Sequence, residues 1–448
     1  MSRLRRPRRG VLLVIASSLA ASWLPQTADA ADPCSGDAPR ALVLGSGGSK
    51  GAFEAGAAYH LIVQRGCDFA EISGNSVGAL NGSLLAQAAR SDDRAQSLAN
   101  MQAAAERLVA EWGAIRSARD MMRTRPLAKI RFALLGLDSI EDFRPLREFI
   151  RTRVDTAKLA AGRELRVGAM SFTDGRYHEF LLNHDGVAEP AAQDFIYVSA
   201  LVPVFARMPV ITPPHGGTPL QLGDGGLRHA TPVTSYFEQC TAMGPAAAAC
   251  TPLTGANTPP HPRIEQLFVV VTTPYTERND LKPVADPSAV DPATGAIEDG
   301  RKVLVRMFDV VLDTMHRTDL DDMLLFNDVL VWQARAPDVA APFPVGSFNR
   351  ASPTAPSRPY EIGLIAPRRD DSNPLSIFKA EPATQRERLY CGCVAADQMM
   401  QTRFRQAPMT DQCAARFPAL PPKRRRAATP VFTPAVCGTE NPARSRRR

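Results

Sequence analysis

The 448-residue sequence lacks several features that would assign its class at once. After the first 30 residues, no stretch reaches the roughly 18 consecutive apolar residues that a membrane-spanning helix requires. Cys391 and Cys393 form an isolated Cys-x-Cys, a poor zinc signature because structural zinc sites usually combine two ligand pairs. No internal repeat is present either. These absences argue against a helical membrane protein, a zinc module and a repeat protein, and we expect no metal.

Basic charge is scarce in the body of the chain, although the whole sequence has a net charge of +7. Residues 31–422 contain 40 basic and 44 acidic side chains, a net charge of −4, so the body shows no footprint for nucleic acid. Residues 423–448 contain eight basic residues and one acid, Glu440. This basic tail suggests a peripheral contact with an anionic membrane, and a solvated terminus without a partner is the alternative.

The first 30 residues are typical of a secretory signal. Five arginines precede a short, mostly apolar run from Gly10 to Trp23, and Ala28-Asp29-Ala30 offers small residues at a cleavage site. The pair Arg8-Arg9 leaves twin-arginine export open beside ordinary export. We therefore expect an exported bacterial protein, periplasmic or secreted, from which residues 1–30 are removed.

All eight cysteines follow position 30, and an even number in an exported chain suggests disulfide bonds. Cys240 and Cys250 bracket a stretch rich in Gly, Pro and Ala and are the simplest pair to propose. They fall within a predicted loop insertion at residues 238–263. Cys391 and Cys393 lie two residues apart and would face different directions on a helix, so we expect each to have its own partner.

One serine stands where a predicted strand turns into a helix. A strand pattern over residues 69–73 leads into Gly-Asn-Ser-Val-Gly and then into an Ala- and Leu-rich helical pattern. This is the Gly-x-Ser-x-Gly nucleophile elbow in the context that gives the motif meaning. Gly74 and Gly78 supply the space that so sharp a turn requires. Ser76 is therefore a candidate nucleophile, and a Gly/Ser turn without chemistry is the alternative.

A glycine-rich loop follows the first predicted strand. Gly45-Ser-Gly-Gly-Ser-Lys-Gly51 leads into a helical pattern, so several N–H groups are available to an anion. A P-loop is disfavoured because Gly51, rather than Ser or Thr, follows Lys50, and a dinucleotide loop is disfavoured because Lys50 takes the place of its last glycine. An oxyanion hole needs only backbone donors beside a nucleophile. Because Ser76 ends the next strand, where a parallel neighbour would place it, we favour the oxyanion hole.

A carboxylate leaves a later short strand directly into two glycines. The predicted strand covers residues 220–223, and Asp224-Gly225-Gly226 follows it. The glycines let another side chain approach Asp224, which suits a catalytic site, but they suit an Asx-turn equally well. Taken alone, this segment leaves both interpretations open.

The remaining pattern is that of a mixed α/β chain. Residues 92–154 are predicted to be helical and amphipathic, which suits core packing or a membrane-facing lid. Strands are predicted at residues 165–171, 177–182, 264–273 and 360–367, and helices at 301–315, 320–334 and 383–404. The chain after residue 404 is rich in Pro and Arg, and we expect it to be disordered or held only by its cysteines.

Four segments in this order resemble motifs of the patatin-like phospholipase family. The glycine-rich G-G-G-x-K/R-G motif is similar to residues 46–51, where Ser46 replaces the first glycine. The Gly-x-Ser-x-Gly motif is similar to residues 74–78, and the D-G-G/A motif to residues 224–226. A Ser-x-x-x-Pro block of the family looks like the stretch that begins at Ser199 and ends at Phe205. Four motifs in order are highly specific.

The resemblance implies an α/β fold with three layers, α/β/α, around a central, mostly parallel sheet. The implied domain covers residues 38–403, followed by a Pro- and Arg-rich tail at residues 404–448. The implied activity is that of a serine lipid acyl hydrolase, which cleaves carboxylic esters of phospholipids or related lipids without a cofactor.

The resemblance also implies roles for individual residues. Ser76 would attack the ester and form an acyl-enzyme, and Asp224 would act as its base in a dyad without histidine. The N–H groups of Gly47, Gly48 and Ser49 would form the oxyanion hole. The remaining small or basic residues of these motifs would support the site: Lys50, Gly51, Gly74, Gly78, Gly225 and Gly226.

Two alternatives remain. An α/β-hydrolase-type esterase with a Ser-Asp-His triad needs a histidine after Asp224, and only His229, His261 and His316 follow it. We expect these three to be structural or on the surface, with His316 near a helix end. A non-catalytic lipid-binding protein on the same fold is disfavoured by the intact Ser76 and Asp224. A nucleotide-dependent oxidoreductase fails on the glycine spacing.

Overall fold

One large sheet of eight strands lies at the centre of the computed structural model. The structure describes residues 32–125, 139, 141–184, 187–203, 205–212, 218–233, 236, 264–275, 300–335, 359–368, 380–419 and 432–437. The proposed signal at residues 1–30, the loop insertion at 238–263 and most of the basic tail lie outside these ranges.

Within the described residues the chain forms twelve strands. Those of the large sheet are β1 (Arg40–Leu44), β2 (Glu71–Gly74), β5 (Glu164–Ser171), β6 (Tyr177–Leu181), β9 (Val210–Ile211), β10 (Leu220–Asp224), β11 (Gln266–Val270) and β12 (Glu361–Ile365). Two small antiparallel pairs complete the set: β3 (Arg123–Thr124) with β4 (Glu141–Asp142), and β7 (Asn183–His184) with β8 (Val187–Ala188).

The large sheet is parallel over most of its width. Its order is β12-β11-β1-β2-β5-β10-β9, with β6 on β5. The pairs from β12 to β5 are parallel, whereas β6 and β10 run antiparallel to β5 and β9 runs antiparallel to β10. The predicted α/β class with a mostly parallel sheet is therefore confirmed.

The described residues also contain nine α-helices. They are α1 (Gly51–Tyr59), α2 (Val77–Ala86), α3 (Arg94–Ala114), α4 (Arg144–Arg153), α5 (Thr156–Ala160), α6 (Ala192–Ser199), α7 (Gly300–Arg335), α8 (Pro382–Phe404) and α9 (Thr410–Arg416). A π-helical turn, His60–Gln64, prolongs α1. None of the helices described here is long and apolar enough to cross a membrane.

Helices cover both faces of the sheet because the side chains of a strand alternate between its faces. Leu42 and Leu44 of β1 belong to a core shared with α1, α2, α3 and α8. Ala41 and Val43 point the other way, into a second core with residues of α7 such as Leu320. The fold thus has three layers, α/β/α.

Two predictions about helices are wrong. Residues 301–315 and 320–334 form one helix, α7, because the residues between them include no Gly or Pro and Leu320 continues the buried face. The predicted helical stretch at residues 92–154 is interrupted after α3 by a capped 3₁₀ turn, Ala118–Asp120, and by the β3–β4 pair. In α3, Trp112 is buried in the core, as are six other side chains of that helix.

Three disulfides lie within the described residues. Cys34 is bonded to Cys67, Cys391 to Cys437 and Cys393 to Cys413, so neighbouring cysteines of α8 take different partners, as predicted. The proposed Cys240–Cys250 pair lies outside the described residues.

Part of the segment assigned to the tail packs on the helical layer. Helix α9 follows α8, and Phe417 is buried edge-on against Tyr59 of α1. Cys437 is also buried in its disulfide. The expectation that the chain after residue 404 is disordered or held only by its cysteines is therefore wrong for this part.

Candidate active site

Ser76 lies at the sharp turn between β2 and α2. A Cβ on Gly74 would lie 2.3 Å from the carbonyl oxygen of Gly78, and a Cβ on Gly78 would lie 2.2 Å from the carbonyl oxygen of Leu44. Real Cβ atoms do not approach backbone this closely. Both glycines are therefore required for the start of α2 to pack against the ends of β2 and β1.

The backbone of Ser76 is strained, with φ 54° and ψ −122°. Such a conformation persists only where the surroundings hold it. The N–H of Ser76 donates to Oγ of Ser199 at 2.9 Å, and the hydroxyl of Ser199 donates to the carbonyl of Gly168 at 2.6 Å. Ser199 at the end of α6 thus ties the turn to β5.

Sheet topology brings Asp224 to Ser76 across 148 residues of sequence. On β5, Gly74 of β2 pairs with Val167, and Asp224 of β10 pairs with Ala169. Strand β6 occupies the opposite edge of β5 over the same residues, so β2 and β10 lie end to end along one edge. The end of each strand therefore faces the end of the other.

The hydroxyl of Ser76 donates directly to a carboxylate oxygen, Oδ2 of Asp224, at 2.8 Å. The other oxygen, Oδ1, accepts the N–H of Gly226 at 2.8 Å. The Asp224-Gly225-Gly226 segment thus forms an Asx-type turn, and the same carboxylate accepts the hydroxyl of Ser76. The sequence left a turn and a site residue open as alternatives for Asp224, and the structure shows the turn together with the contact to Ser76.

Burial raises the pKa of Asp224 from 3.8 to about 6, because the side chain is cut off from water. Hydrogen bonds from Ser76 and Gly226 oppose this rise by stabilising the charged form. At neutral pH the carboxylate is ionised, and it is a stronger base than an exposed aspartate. This arrangement partly offsets the weakness of aspartate as a base for a hydroxyl.

The described histidines do not bond to Ser76 or Asp224. His229 lies with Nδ1 2.8 Å from Oδ1 of Asp319, and its ring packs edge-on against Tyr177. His261 lies outside the described residues. Among the described residues, no histidine is placed to complete a triad with the serine.

His316 differs from its predicted position. It lies inside α7, is buried, and was expected near a helix end. Its Nδ1 is 2.8 Å from Oγ1 of Thr231, and its Nε2 is 3.2 Å from the carbonyl oxygen of Ser46. The second contact places it beneath the glycine-rich loop rather than at the serine.

The N–H groups of Gly47 and Gly48 have no hydrogen-bond acceptor among the described residues. Gly48 has a positive φ of 55°, and a Cβ on Gly47 would lie 2.1 Å from Oγ1 of Thr272. That hydroxyl donates to the carbonyl of Ser46 at 2.5 Å. The loop is thus held from below while two of its donors remain available to an anion.

The other end of the loop is held by α8 and by the start of α1. Arg388 donates to both the carbonyl oxygen and Oγ of Ser49, at 3.0 and 2.8 Å. Lys50 is buried, and its N–H donates to the carbonyl of Gly47. A Cβ on Gly51 would lie 2.2 Å from Cγ2 of Val77, so this glycine allows α1 to pack on α2 beside the serine.

Ser46, the departure from the family's three glycines, is buried beside the Asp224 turn. Its hydroxyl has no hydrogen-bond partner among the described residues. A Cβ on Gly226 would lie 2.2 Å from Oγ of Ser46. The serine therefore fits only because position 226 is glycine, although the D-G-G/A motif also admits alanine there.

Asn75 and Tyr177 are site residues that the sequence reasoning missed. Oδ1 of Asn75 accepts the N–H of Gly168 and the hydroxyl of Tyr177, each at 3.0 Å, and its Nδ2 donates to the carbonyl of His229. Ser199 was identified only as part of a motif, without a role. The variable x positions of Gly-x-Ser-x-Gly carry no signal for such contacts.

One group of described side chains has donor atoms close enough for a metal ion, namely His60, Cys393 and Cys413. The two sulfurs are joined in a disulfide, and Nδ1 of His60 lies 2.6 Å from Oε1 of Gln64. The three residues lie on the π-helical turn after α1, on α8 and on α9. As a disulfide the two cysteines offer no thiolate ligand.

A strained serine at a strand-to-helix turn, a buried carboxylate beside it and a loop with open N–H groups form the arrangement that the family resemblance implies. Residues 42–236 match the family described as patatin-like phospholipase. Over these residues the chain is therefore similar to a patatin-like phospholipase domain, and at the family level this similarity implies a lipid acyl hydrolase.

Comparison with other proteins adds little beyond the family. The crystal structure of VipD from Legionella pneumophila matches with 13% sequence identity and a TM-score of 0.25. The match covers 43% of this chain and spans only 46% of that chain. No curated protein matches the sequence.

Strands β11 and β12 lie outside the residues matched by the family, but they belong to the same sheet. The domain limits at residues 38 and 403 stay a prediction.

Proposed function

We propose that the protein is a serine lipid acyl hydrolase that cleaves carboxylic esters of phospholipids or related lipids through a Ser76–Asp224 dyad. The observation that carries this proposal is the direct hydrogen bond of 2.8 Å between Oγ of Ser76 and Oδ2 of Asp224. No base stands between the two, so the carboxylate is the group that receives the hydroxyl proton.

The first half of the reaction forms an acyl-enzyme. Oγ of Ser76 attacks the ester carbonyl carbon while its proton moves to Oδ2 of Asp224. The negative charge on the carbonyl oxygen is stabilised by the N–H groups of Gly47 and Gly48, with Ser49 as a further donor of the loop. The tetrahedral intermediate then collapses, and Asp224 returns the proton to the departing alcohol.

The second half regenerates the serine. Asp224, again ionised, takes a proton from a water molecule, and the hydroxide attacks the acyl carbonyl within the same oxyanion loop. Collapse of this second intermediate releases the fatty acid, and the proton on Asp224 returns to Oγ of Ser76. The same carboxylate acts as base and then as acid in each half, which a group with a raised pKa can do near neutral pH.

The test is hydrolysis of phospholipid, lysophospholipid, triacylglycerol and short-chain nitrophenyl esters by the purified protein and its variants. Ser76→Ala and Asp224→Asn should each lower kcat by at least about a thousandfold. His229→Ala should retain most activity, because His229 bonds to Asp319 rather than to the dyad. A loss in His229→Ala or His261→Ala equal to that in Ser76→Ala would replace the dyad by a triad. Absence of hydrolysis for every ester would favour a lipid-binding protein.

The expected basic tail extends this proposal to the membrane. Residues 423–448 would increase the time that the enzyme spends on anionic vesicles, since each Lys or Arg near such a surface contributes about 1 kcal/mol at most. A variant with these basic residues changed to Gln should bind anionic vesicles more weakly at low salt, with unchanged turnover of a soluble ester. Equal vesicle binding would leave the tail a solvated terminus.

Export also remains a proposal, based on residues 1–30. Disulfides such as Cys34–Cys67 support it, because they form and persist in oxidising compartments. N-terminal sequencing of the protein recovered from periplasmic and secreted fractions should find a chain that begins at residue 31. A full-length chain confined to the cytoplasmic fraction would contradict the proposal.

A further inference from the structure

A wide cleft lies beside the proposed active site. It has a volume of about 1510 Å³, and Gln221, Val210 and Val198 are among the residues that line it. Gln221 is three residues before Asp224 on β10, about 10 Å along the strand. Val198 precedes Ser199, whose hydroxyl accepts the N–H of Ser76. The cleft therefore opens within the length of a small lipid from the dyad.

The cleft is rich in arginine. Five guanidinium groups line it, those of Arg123, Arg125, Arg144, Arg147 and Arg207. Three acids also line it, so the charge of the described lining is +2. This excess contrasts with the net charge of −4 of residues 31–422. Positive charge is thus concentrated at this place on a body that is otherwise negative.

Two of the three acids are already paired. Asp142 makes an ion pair of 2.6 Å with Arg144, and Asp194 makes one of 2.9 Å with Arg147. The third acid, Glu141, accepts a hydrogen bond from Thr124, and burial raises its pKa. The acids therefore do not account for every arginine of the cleft.

Arg123 and Arg125 are exposed, and neither makes an ion pair with a described residue, although the charge of Arg125 contributes, after Arg144, to lowering the pKa of Asp142. They flank Thr124 at β3, so both guanidinium groups are available to one ligand. A guanidinium presents several N–H donors in a planar fork, a geometry that matches the oxygens of a phosphate group. An anion with several oxygens is therefore the ligand for which this pair is best suited.

Apolar surface lies at the same place. Val210 lines the cleft and is 64% exposed, and Phe172, which follows β5 and is not among the lining residues, is 40% exposed. The N–H of Phe172 donates to the carbonyl of Gln221, and Val210 pairs with Gln221 across β9 and β10. Cationic and apolar groups thus meet at one rim, which suits a ligand that has an anionic end and an acyl end.

We propose that Arg123 and Arg125 form a subsite for the phosphate of a glycerophospholipid headgroup, while the acyl ester of the same molecule reaches Ser76. The assignment rests on the proposed function, since it names the part of the substrate that lies outside the dyad. It makes the enzyme selective for esters that carry a phosphate a few bonds from the scissile carbonyl.

The test compares two esters that differ only in the phosphate, dihexanoylphosphatidic acid and dihexanoylglycerol, both kept monomeric at one ionic strength. The variant is Arg123→Gln/Arg125→Gln, and the matched control is Arg116→Gln/Arg119→Gln. The control removes two exposed arginines that lie outside the cleft lining. The ratio of kcat/KM for the phosphate ester to that for the neutral ester should fall about tenfold or more in the variant, through KM. An equal fall in the control would show only a long-range effect of charge and would overturn the subsite.

A binding measurement separates this proposal from that of the dyad. By calorimetry, Ser76→Ala should bind dihexanoylphosphatidic acid about tenfold more tightly than dihexanoylglycerol, and the two arginine changes should abolish the difference. Preference in binding without turnover in the parent protein would leave the subsite in place and remove the proposed hydrolase. Turnover of both esters without any preference in binding would support the proposed hydrolase and overturn the subsite. If inorganic phosphate binds to Ser76→Ala as tightly as the lipid does, the site is one for free phosphate, and the headgroup assignment is wrong.

Discussion

The raised pKa of Asp224 has a cost for the stability of the fold that can be measured. A rise from 3.8 to about 6 means that ionised Asp224 destabilises the folded state by roughly 3 kcal/mol above pH 6, because each pKa unit corresponds to 1.36 kcal/mol. Well below pH 4 the carboxyl is protonated in both the folded and the unfolded state, and this cost vanishes. The contribution of Asp224 to stability therefore decreases as the pH rises from about 4 to 6.

Replacement by asparagine removes the charge but keeps an oxygen for the N–H of Gly226. Asp224→Asn should therefore be inactive yet more stable than the parent above pH 6, by about 3 °C in Tm for a chain of this size. Near pH 4 the two proteins should melt at similar temperatures. Asp92→Asn, which changes an exposed acid elsewhere in the chain, is the control for the loss of one charge.

Scanning calorimetry of the three proteins between pH 4 and pH 8 makes the measurement. A difference in Tm between Asp224→Asn and the parent that is independent of pH would refute the reasoning, since the cost would not then come from the ionised carboxylate. The pH dependence of kcat/KM reports the ionisation of Asp224 independently. The kcat/KM of the parent should rise with pH through about 6, because Asp224 must be ionised to accept the proton.

Three further predictions concern the loop below the dyad. Gly47→Ala would bring a Cβ to 2.1 Å from Oγ1 of Thr272, so kcat should fall more than tenfold with little change in KM, in steady-state kinetics. His316→Ala should lower kcat about tenfold because the Ser46 carbonyl loses a hydrogen-bond donor. His316→Asn, which can still donate, should recover part of kcat and leave the pH dependence of kcat/KM below pH 6 unchanged. A shift of that pH dependence in the variants would make the histidine part of the proton transfer. Gly226→Ala should lower Tm by about 1 to 3 °C because its Cβ would contact Ser46, and Ser46→Gly should restore Tm in the double variant. Additive effects of the two changes would show that the two positions are independent.

Local constraints explain which parts of the site could be predicted from the sequence. Gly74 and Gly78 are required by contacts within ten residues of Ser76 and at the adjacent strand end, so the motif carries its own structural context. The two glycines that follow its strand make Asp224 a candidate, but they suit an Asx-turn equally well, and only the family resemblance gives Asp224 a role. Strand and helix patterns at residues 164–171, 266–270 and 382–404 were also found, since their buried faces are long and regular.

Contacts between distant segments explain what could not be predicted. His316 occupies an ordinary position of α7, and only the packing of that helix under the Ser46 carbonyl gives it a place in the site. Ser199 and Asn75 act through hydrogen bonds to Gly168 on β5, which no periodicity indicates. The arginines at β3 fall in a stretch that was predicted as helix, so their proximity to β9 and β10 had no basis in the pattern.

The end-to-end arrangement of β2 and β10 on β5 means that nucleophile and base share one support. Any small displacement of β5 carries both strand ends with it, because Val167 and Ala169 are two residues apart on the same strand. The distance between Ser76 and Asp224 is thus insulated from rearrangements in the outer helices. Substitutions in α3 or α9 that lower the melting temperature should change how many molecules are folded, while each folded molecule turns over at the parent rate.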